Sequence, residues 1–119
     1  MRDHRKLRAF ELADGLVLAV YRLTRRFPDD ERFGLTSQLR RAAVSVASNI
    51  VEGSARSGLA DYIRFLDMAY GSVKEVEYQL TIAERLDFAE QDTLAPVLDR
   101  ATETSKVLHG LIRSLRNSS

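Results

Sequence analysis

The chain has no cysteine and only two prolines in its 119 residues. Without cysteine there is neither a disulfide nor a thiolate metal site, a composition that suits a reducing compartment, and the cytoplasm is the expected location. No apolar core with a cleavage site follows the N-terminal stretch MRDHRKLR, so no signal peptide is expected. The longest apolar run, roughly Leu16 to Tyr21, falls far short of the ~20 residues that span a bilayer, and no membrane association is expected. A charge excess is missing too. The formal net charge is +1, whereas a dedicated nucleic-acid binder is more basic, so any such role rests on local patches. One patch, Arg2, Arg5, Lys6 and Arg8, falls in residues 1–8 and reads as a solvated, flexible segment.

What is present is helical periodicity. An apolar fraction of 45% and a charged fraction of 29% are ordinary for a globular protein, and the length fits one domain over residues 1–119. The spacing predicts a first helix from about Phe10 to Phe27, with Ala13, Leu16, Val17, Val20 and Leu23 inward and Pro28 ending it. A turn at PDDERFG leads to a second helix from Thr36, read as its N-cap, to about Ala55. A third runs from Leu59 to Leu86 with Leu59, Ile63, Leu66, Ala69, Tyr70, Val73, Val76, Leu80 and Ala83 inward. Gly71, in its middle, is expected to mark a close helix approach or a bend. The fourth spans Glu90 to Arg116, with Leu94, Val97, Leu98, Ala101, Leu108, Leu111, Ile112 and Leu115 inward and Pro96 in its first two turns. Residues 117–119 should fray. Short connections make consecutive helices antiparallel, which predicts an all-α, up-down-up-down four-helix bundle.

The second helix is unusual. In LTSQLRRAAVSVASNIVEG, Gln38, Ser45, Asn49, Glu52 and Arg56 share a narrow arc with Arg41 at its edge, beside the main apolar face of Leu35, Leu39, Ala42, Ala43, Val46 and Ile50. A weaker apolar strip, Val44, Ala47, Val51 and Ala55, lies opposite. That leaves little surface for solvent and predicts neighbours on more than one side. Ser72, Glu75 and Gln79 form a matching polar stripe on the third helix. Paired carboxylates Glu52 and Glu75 can do acid–base work only in a pocket, and bundle cores are filled. The favoured reading is a structural network of Ser45, Asn49, Glu52, Ser72 and Glu75, with Arg41 or Arg56 neutralising the acids, which specifies register or partner choice. It predicts that Glu52→Ala or Asn49→Ala disturbs folding or assembly.

Other chemistry finds no support. His4 and His109 lack ligand-spaced companions, the Glu-x-x-His pairs of di-iron bundles are absent, and no metal or cofactor is expected. Ser105 and His109, at i,i+4, have no third member to make a triad. Gly71-Ser72-Val73-Lys74 lacks the upstream glycine of a phosphate loop. The chain is therefore read as no enzyme. Arg22, Arg25, Arg26, Arg40 and Arg41 are the candidate phosphate contacts, with Arg64 and Lys74 elsewhere on the third helix. Tyr62, Phe65 and Tyr70 look like packing residues rather than base-stacking ones.

FGLTSQLRRAAVSVASNIVEG from Phe33 to Gly53, and RFLDMAYGSVKE from Arg64 to Glu75, resemble the bacterial four-helix-bundle proteins encoded in intervening sequences of 23S rRNA genes. The turn Phe27–Glu31 and the closing Leu111–Leu115 agree with that family. The resemblance implies a left-handed antiparallel bundle assembled as a homopentamer around a central channel. It also implies similarity to the accessory variability protein of diversity-generating retroelements, a basic pentamer that binds nucleic acid and the reverse transcriptase. No catalytic residue carries over. Asn49, Glu52, Gly53, Gly71, Ser72 and Glu75 match the motifs, with an architectural role. Two functions follow as expectations. The first is an oligomeric protein binding RNA or other nucleic acid through the five arginines. The alternative is a protein-only scaffold or adaptor whose second apolar strip mediates assembly with an unknown protein partner.

Overall fold

Ala9, Ala13, Leu16, Val20 and Leu23 recur at helical spacing and are buried along one side of α1, Arg8–Thr24. Three further helices follow, α2 at Leu35–Ser54, α3 at Leu59–Arg85 and α4 at Gln91–Asn117. This computed structural model describes residues 2–118, among which there is no strand. Met1 and Ser119, the outermost residues of the expected N-terminal segment and frayed tail, lie outside the described residues. Helical geometry makes the 27 residues of α3 about 40 Å long, so α3 and α4 must lie along the 45 Å axis of a body only 22 × 19 Å across.

Cross-helix contacts run in opposite senses. Between α2 and α3, Ser45 meets Ser72 and Gly53 meets Phe65. Between α3 and α4, Asp67 meets Arg116 and Tyr70 meets His109. Between α1 and α4, Arg8 meets Glu103, and Ala19 and Val97 line one groove. The bundle is thus antiparallel, with α1 closing the ring against α4. Every residue of the four predicted apolar stripes is buried or half-buried. The fully buried leucines Leu16, Leu39, Leu66, Leu80, Leu94 and Leu108 form its spine, each contributing about 1.5–3 kcal/mol on burial.

The helix ends differ from expectation for local reasons. α1 stops at Thr24, and a tight turn, Arg26 N–H to Leu23 O and Phe27 N–H to Thr24 O, carries Phe27 into the core against Phe88, with ring centres 5.5 Å apart. Thr36 is not the N-cap of α2. It is buried inside the first turn, Gly34 occupies the cap position, and Glu31 Oε1 accepts the Leu35 N–H at 3.0 Å. Gly71 marks no close approach, since a Cβ built there meets nothing within 4 Å.

The basic N-terminal segment, expected to be flexible, is docked among its described residues. Arg2 N–H donates to Ser54 O at 3.0 Å and its guanidinium to Arg56 O at 2.9 Å, placing a cation at the carbonyl end of α2 where the helix dipole favours it. Asp3 caps the 3-10 turn His4–Lys6 and pairs with Arg5, while Arg8 pairs with Glu103 at 2.7 Å.

Candidate functional site

The polar stripe on α2 condenses into a small joint with α3. Ser45 Oγ and Ser72 Oγ are 2.8 Å apart. Asn49 Nδ2 donates to Ser45 O at 2.9 Å and to Ser45 Oγ at 3.1 Å. All three residues are half-buried. Glu75 belongs to a separate pair, accepting from buried Gln79 at 3.2 Å along α3. Glu52 corrects the expectation: it is exposed, and its side chain forms no hydrogen bond or ion pair among the described residues. At this level of α2 it is Gly53 that faces α3, against Phe65 and Tyr62, and Glu52 lies one residue, about 100°, round the helix from it. The proposed counter-ions are engaged elsewhere or open. The Arg56 guanidinium lies 4.7 Å from the Phe65 ring centre, and Arg41 is exposed without a carboxylate partner. The structure brings Ser45, Asn49 and Ser72 together and leaves the two carboxylates apart.

The five candidate arginines gather at one end of the bundle. Arg22, Arg25 and Arg26 leave the C-terminal turn of α1, and Arg40 and Arg41 sit early in α2, which antiparallel packing places alongside. They line three adjoining grooves. The first, about 550 Å³, holds Arg22, Arg25 and Arg26 against Thr93 and Val97 of α4. The second, about 460 Å³, shares Arg25 with the first and adds Arg32 and Arg40. The third, about 480 Å³, shares Arg32 and Arg40 with the second and adds Arg41, Tyr21, Phe33 and Val44. Among the described residues none of these six arginines forms a salt bridge, in contrast to Arg8, Arg64, Lys74 and Arg116, which pair with carboxylates. Asp29, Asp30 and Glu31 are the acids of this turn, and Glu31 is committed to capping α2.

The local charge is hidden by the near-neutral total. Residues 1–58 carry 11 Lys and Arg against 7 Asp and Glu, and residues 59–119 carry 7 against 10. The acidic surplus includes a groove of about 480 Å³ at the same end, over the α3–α4 connection, lined by Glu84, Asp87 and Glu90 together with Arg26 of the arginine band. One end of the bundle is therefore basic over α1–α2 and acidic over α3–α4.

Sequence reasoning missed Arg32, Phe33 and Tyr21. Phe33 is 89% exposed and Tyr21 39% exposed. Arg40 donates from Nε to Thr24 Oγ1 at 2.9 Å, which holds its guanidinium 4.6 Å from the Tyr21 ring centre. Arg32 lies 5.4 Å from the Phe33 ring centre. The available signal was a phenylalanine between arginine and glycine in a turn, outside any apolar stripe. Tyr62 and Phe65 are buried and Tyr70 half-buried, as packing residues should be.

Elsewhere, Ser105 is buried and His109 exposed, with no hydrogen bond between them; His109 instead lies beside Tyr70, ring centres 5.9 Å apart. Among the described residues no group of three His, Cys, Asp or Glu is placed to hold a metal ion, and no helix is long and apolar enough to cross a membrane. The Asp3 carboxyl is held below its ordinary value by hydrogen bonds from Arg5. Burial raises the Tyr62 phenol, with Arg2 and Ser54 pulling the other way.

Four antiparallel helices, a serine–asparagine joint between α2 and α3, and an arginine-lined end define a small all-α bundle protein. The chain belongs to the 23S rRNA-intervening sequence protein family, whose profile matches residues 5–110. Among solved structures, it is similar to a protein of unknown function from the S23 ribosomal protein family of Bacteroides thetaiotaomicron. The TM-score is 0.81 at 22% identity, covering 88% of this chain and 95% of that one. At that identity the likeness establishes the fold alone. No curated protein matches the chain.

Proposed function

We propose that the chain is a non-enzymatic RNA-binding protein of the cytoplasm that works as a homo-oligomer, with Arg22, Arg25, Arg26, Arg40 and Arg41 as phosphate contacts and Arg32 as a sixth. The observation that carries this reading is the band of arginines without carboxylate partners around the α1–α2 end. An unpaired guanidinium presents a rigid fork of donors that matches phosphate oxygens. Several on one face bind a polyanion with release of its counterions. Assembly would repeat the band around a symmetry axis. Leu18, half exposed on the outer side of α1, and Val51 and Ala55 on α2 offer apolar surface for a neighbouring copy.

The test is an electrophoretic shift series at two salt concentrations, with native mass spectrometry for the assembly. Affinity should fall steeply with salt, and Arg25→Gln or Arg40→Gln should each lower the slope by about one. A monomer that shifts no RNA at low salt overturns the proposal. The acidic groove at Glu84, Asp87 and Glu90 favours a second reading, a scaffold for a basic protein partner. A partner captured equally with and without nuclease would support that one instead.

A further inference from the structure

We infer that the groove bounded by Tyr21, Arg32, Phe33, Arg40, Arg41 and Val44 takes an unpaired nucleobase, so that the protein selects single-stranded RNA over duplex. The inference rests on the phosphate-binding reading above and names the form of the ligand.

The argument starts with Phe33, which no packing need explains. At 89% exposed it is far more open than the other exposed large hydrophobics, of which Tyr78 and Leu86 come next at 61% and 58%. It stands in the short link between the 3-10 turn Asp29–Glu31 and α2, a link anchored on its far side by Glu31 capping Leu35. The ring is therefore presented to solvent from a braced segment. Burying it against a flat apolar partner would recover the hydrophobic free energy that folding leaves unused.

The same groove says what that partner is. Tyr21 lies beneath the Arg40 guanidinium, and Arg32 lies over Phe33. Val44, 38% exposed, adds an aliphatic surface. Arg41 and the hydroxyl-bearing Thr36 and Ser37 complete the lining. Aromatic rings and guanidinium planes are the surfaces on which unstacked bases settle, and neighbouring cations hold the linking phosphates. A helical partner peptide would find the apolar surface too, but three arginines in so small a groove favour a polyanion. A duplex offers phosphates to the arginines while its bases remain paired and stacked, out of reach of Phe33. The arginines beyond this groove, Arg22, Arg25 and Arg26, would then track the strand on either form.

The test uses the full-length protein and fluorescence anisotropy with one labelled 12-nucleotide RNA of mixed sequence, free or annealed to its complement. The single strand should bind at least about tenfold tighter. Phe33→Ala should weaken single-strand binding by between about 5- and 150-fold, the range for loss of one base–aromatic stack, and leave duplex binding and the salt slope unchanged. Phe33→Tyr should restore the affinity. Its exposure makes Phe33→Ala safe for folding, which circular dichroism checks. Equal affinity for the two forms, or no effect of Phe33→Ala, overturns this inference and leaves the phosphate-binding proposal standing if Arg25→Gln still lowers the slope. Failure of both forms to bind removes both.

Discussion

Gly53 and Phe65 form a close crossing between α2 and α3: a Cβ built on the glycine lies 2.8 Å from the Phe65 Cβ, with Tyr62 Cδ1 at 3.3 Å. Phe65 cannot yield by changing rotamer, because its Cβ is fixed to the backbone. Any side chain at position 53 must push the helices apart. Gly53→Ala is expected to destabilise the bundle by about 1–3 kcal/mol, the range for overpacking, despite the better helix propensity of alanine. Urea unfolding followed by circular dichroism measures it, and an unchanged or raised midpoint would refute the close crossing.

Two glycines on adjacent helices show where sequence reading succeeds and stops. Periodicity alone located the four helices, and every residue it placed inward is buried or half-buried, because burial on one face imposes a 3.6-residue repeat regardless of partner. Ala9 and Leu12 of α1, also buried, fell outside the stripe it drew. It could not say which mid-helix glycine another helix touches, since that depends on crossing points set by three-dimensional packing. Gly71 drew attention by interrupting a long helix, whereas Gly53, near a helix end, held the contact. The arginine end has the same character. Its five predicted members were legible as cations at helix ends, but their convergence, and the addition of Arg32, Phe33 and Tyr21, required the α1–α2 turn to be folded.

Gly71 gives the opposite expectation to Gly53. It is exposed, and a Cβ there meets nothing within 4 Å, so the residue contributes only the entropy penalty of glycine in a helix. Gly71→Ala should stabilise by about 0.5–1 kcal/mol. The pair should therefore shift the urea midpoint in opposite directions, and a loss of stability from Gly71→Ala would point to a neighbour on that face.

The polar joint separates Asn49 from Glu52. Asn49→Ala removes two hydrogen bonds to Ser45 in a half-buried setting, expected to cost about 0.5–1.5 kcal/mol. Glu52→Ala touches an exposed side chain with no bonded partner and should stay within about 0.5 kcal/mol of wild type. Equal losses at both positions would restore the larger network read from the helical stripe.

Helix α3 ends in a Schellman motif, with Phe88 N–H on Ala83 O at 2.9 Å and Asp87 N–H on Glu84 O at 3.2 Å. That geometry places Asp87 at φ 56°, the only positive φ among the described residues, in a position that favours glycine. Asp87→Gly relieves the left-handed strain and should stabilise by roughly 1 kcal/mol. Asp87→Ala keeps a Cβ and with it the left-handed strain, so its midpoint should lie well below that of Asp87→Gly.

Tyr62 ties stability to alkaline pH. Its ring is 2% exposed, and burial raises the phenol above its ordinary 10.0, because a phenolate in the α2–α3 interface would lose its hydration. In the unfolded chain the proton leaves near the ordinary value, and in the folded chain it is held longer. Between those two values the folded state binds more protons, so stability falls as pH rises. The contribution is complete below pH 10 and is lost on passing above it. Urea midpoints measured across this range should decline more steeply for the wild type than for Tyr62→Phe, which has no proton to release at that site. Every other ionisable group is common to the two proteins, so the difference between the two profiles isolates Tyr62. Parallel profiles would mean that the phenol reaches water in the folded bundle, which would contradict the tight seam that Gly53 and Phe65 form beside it.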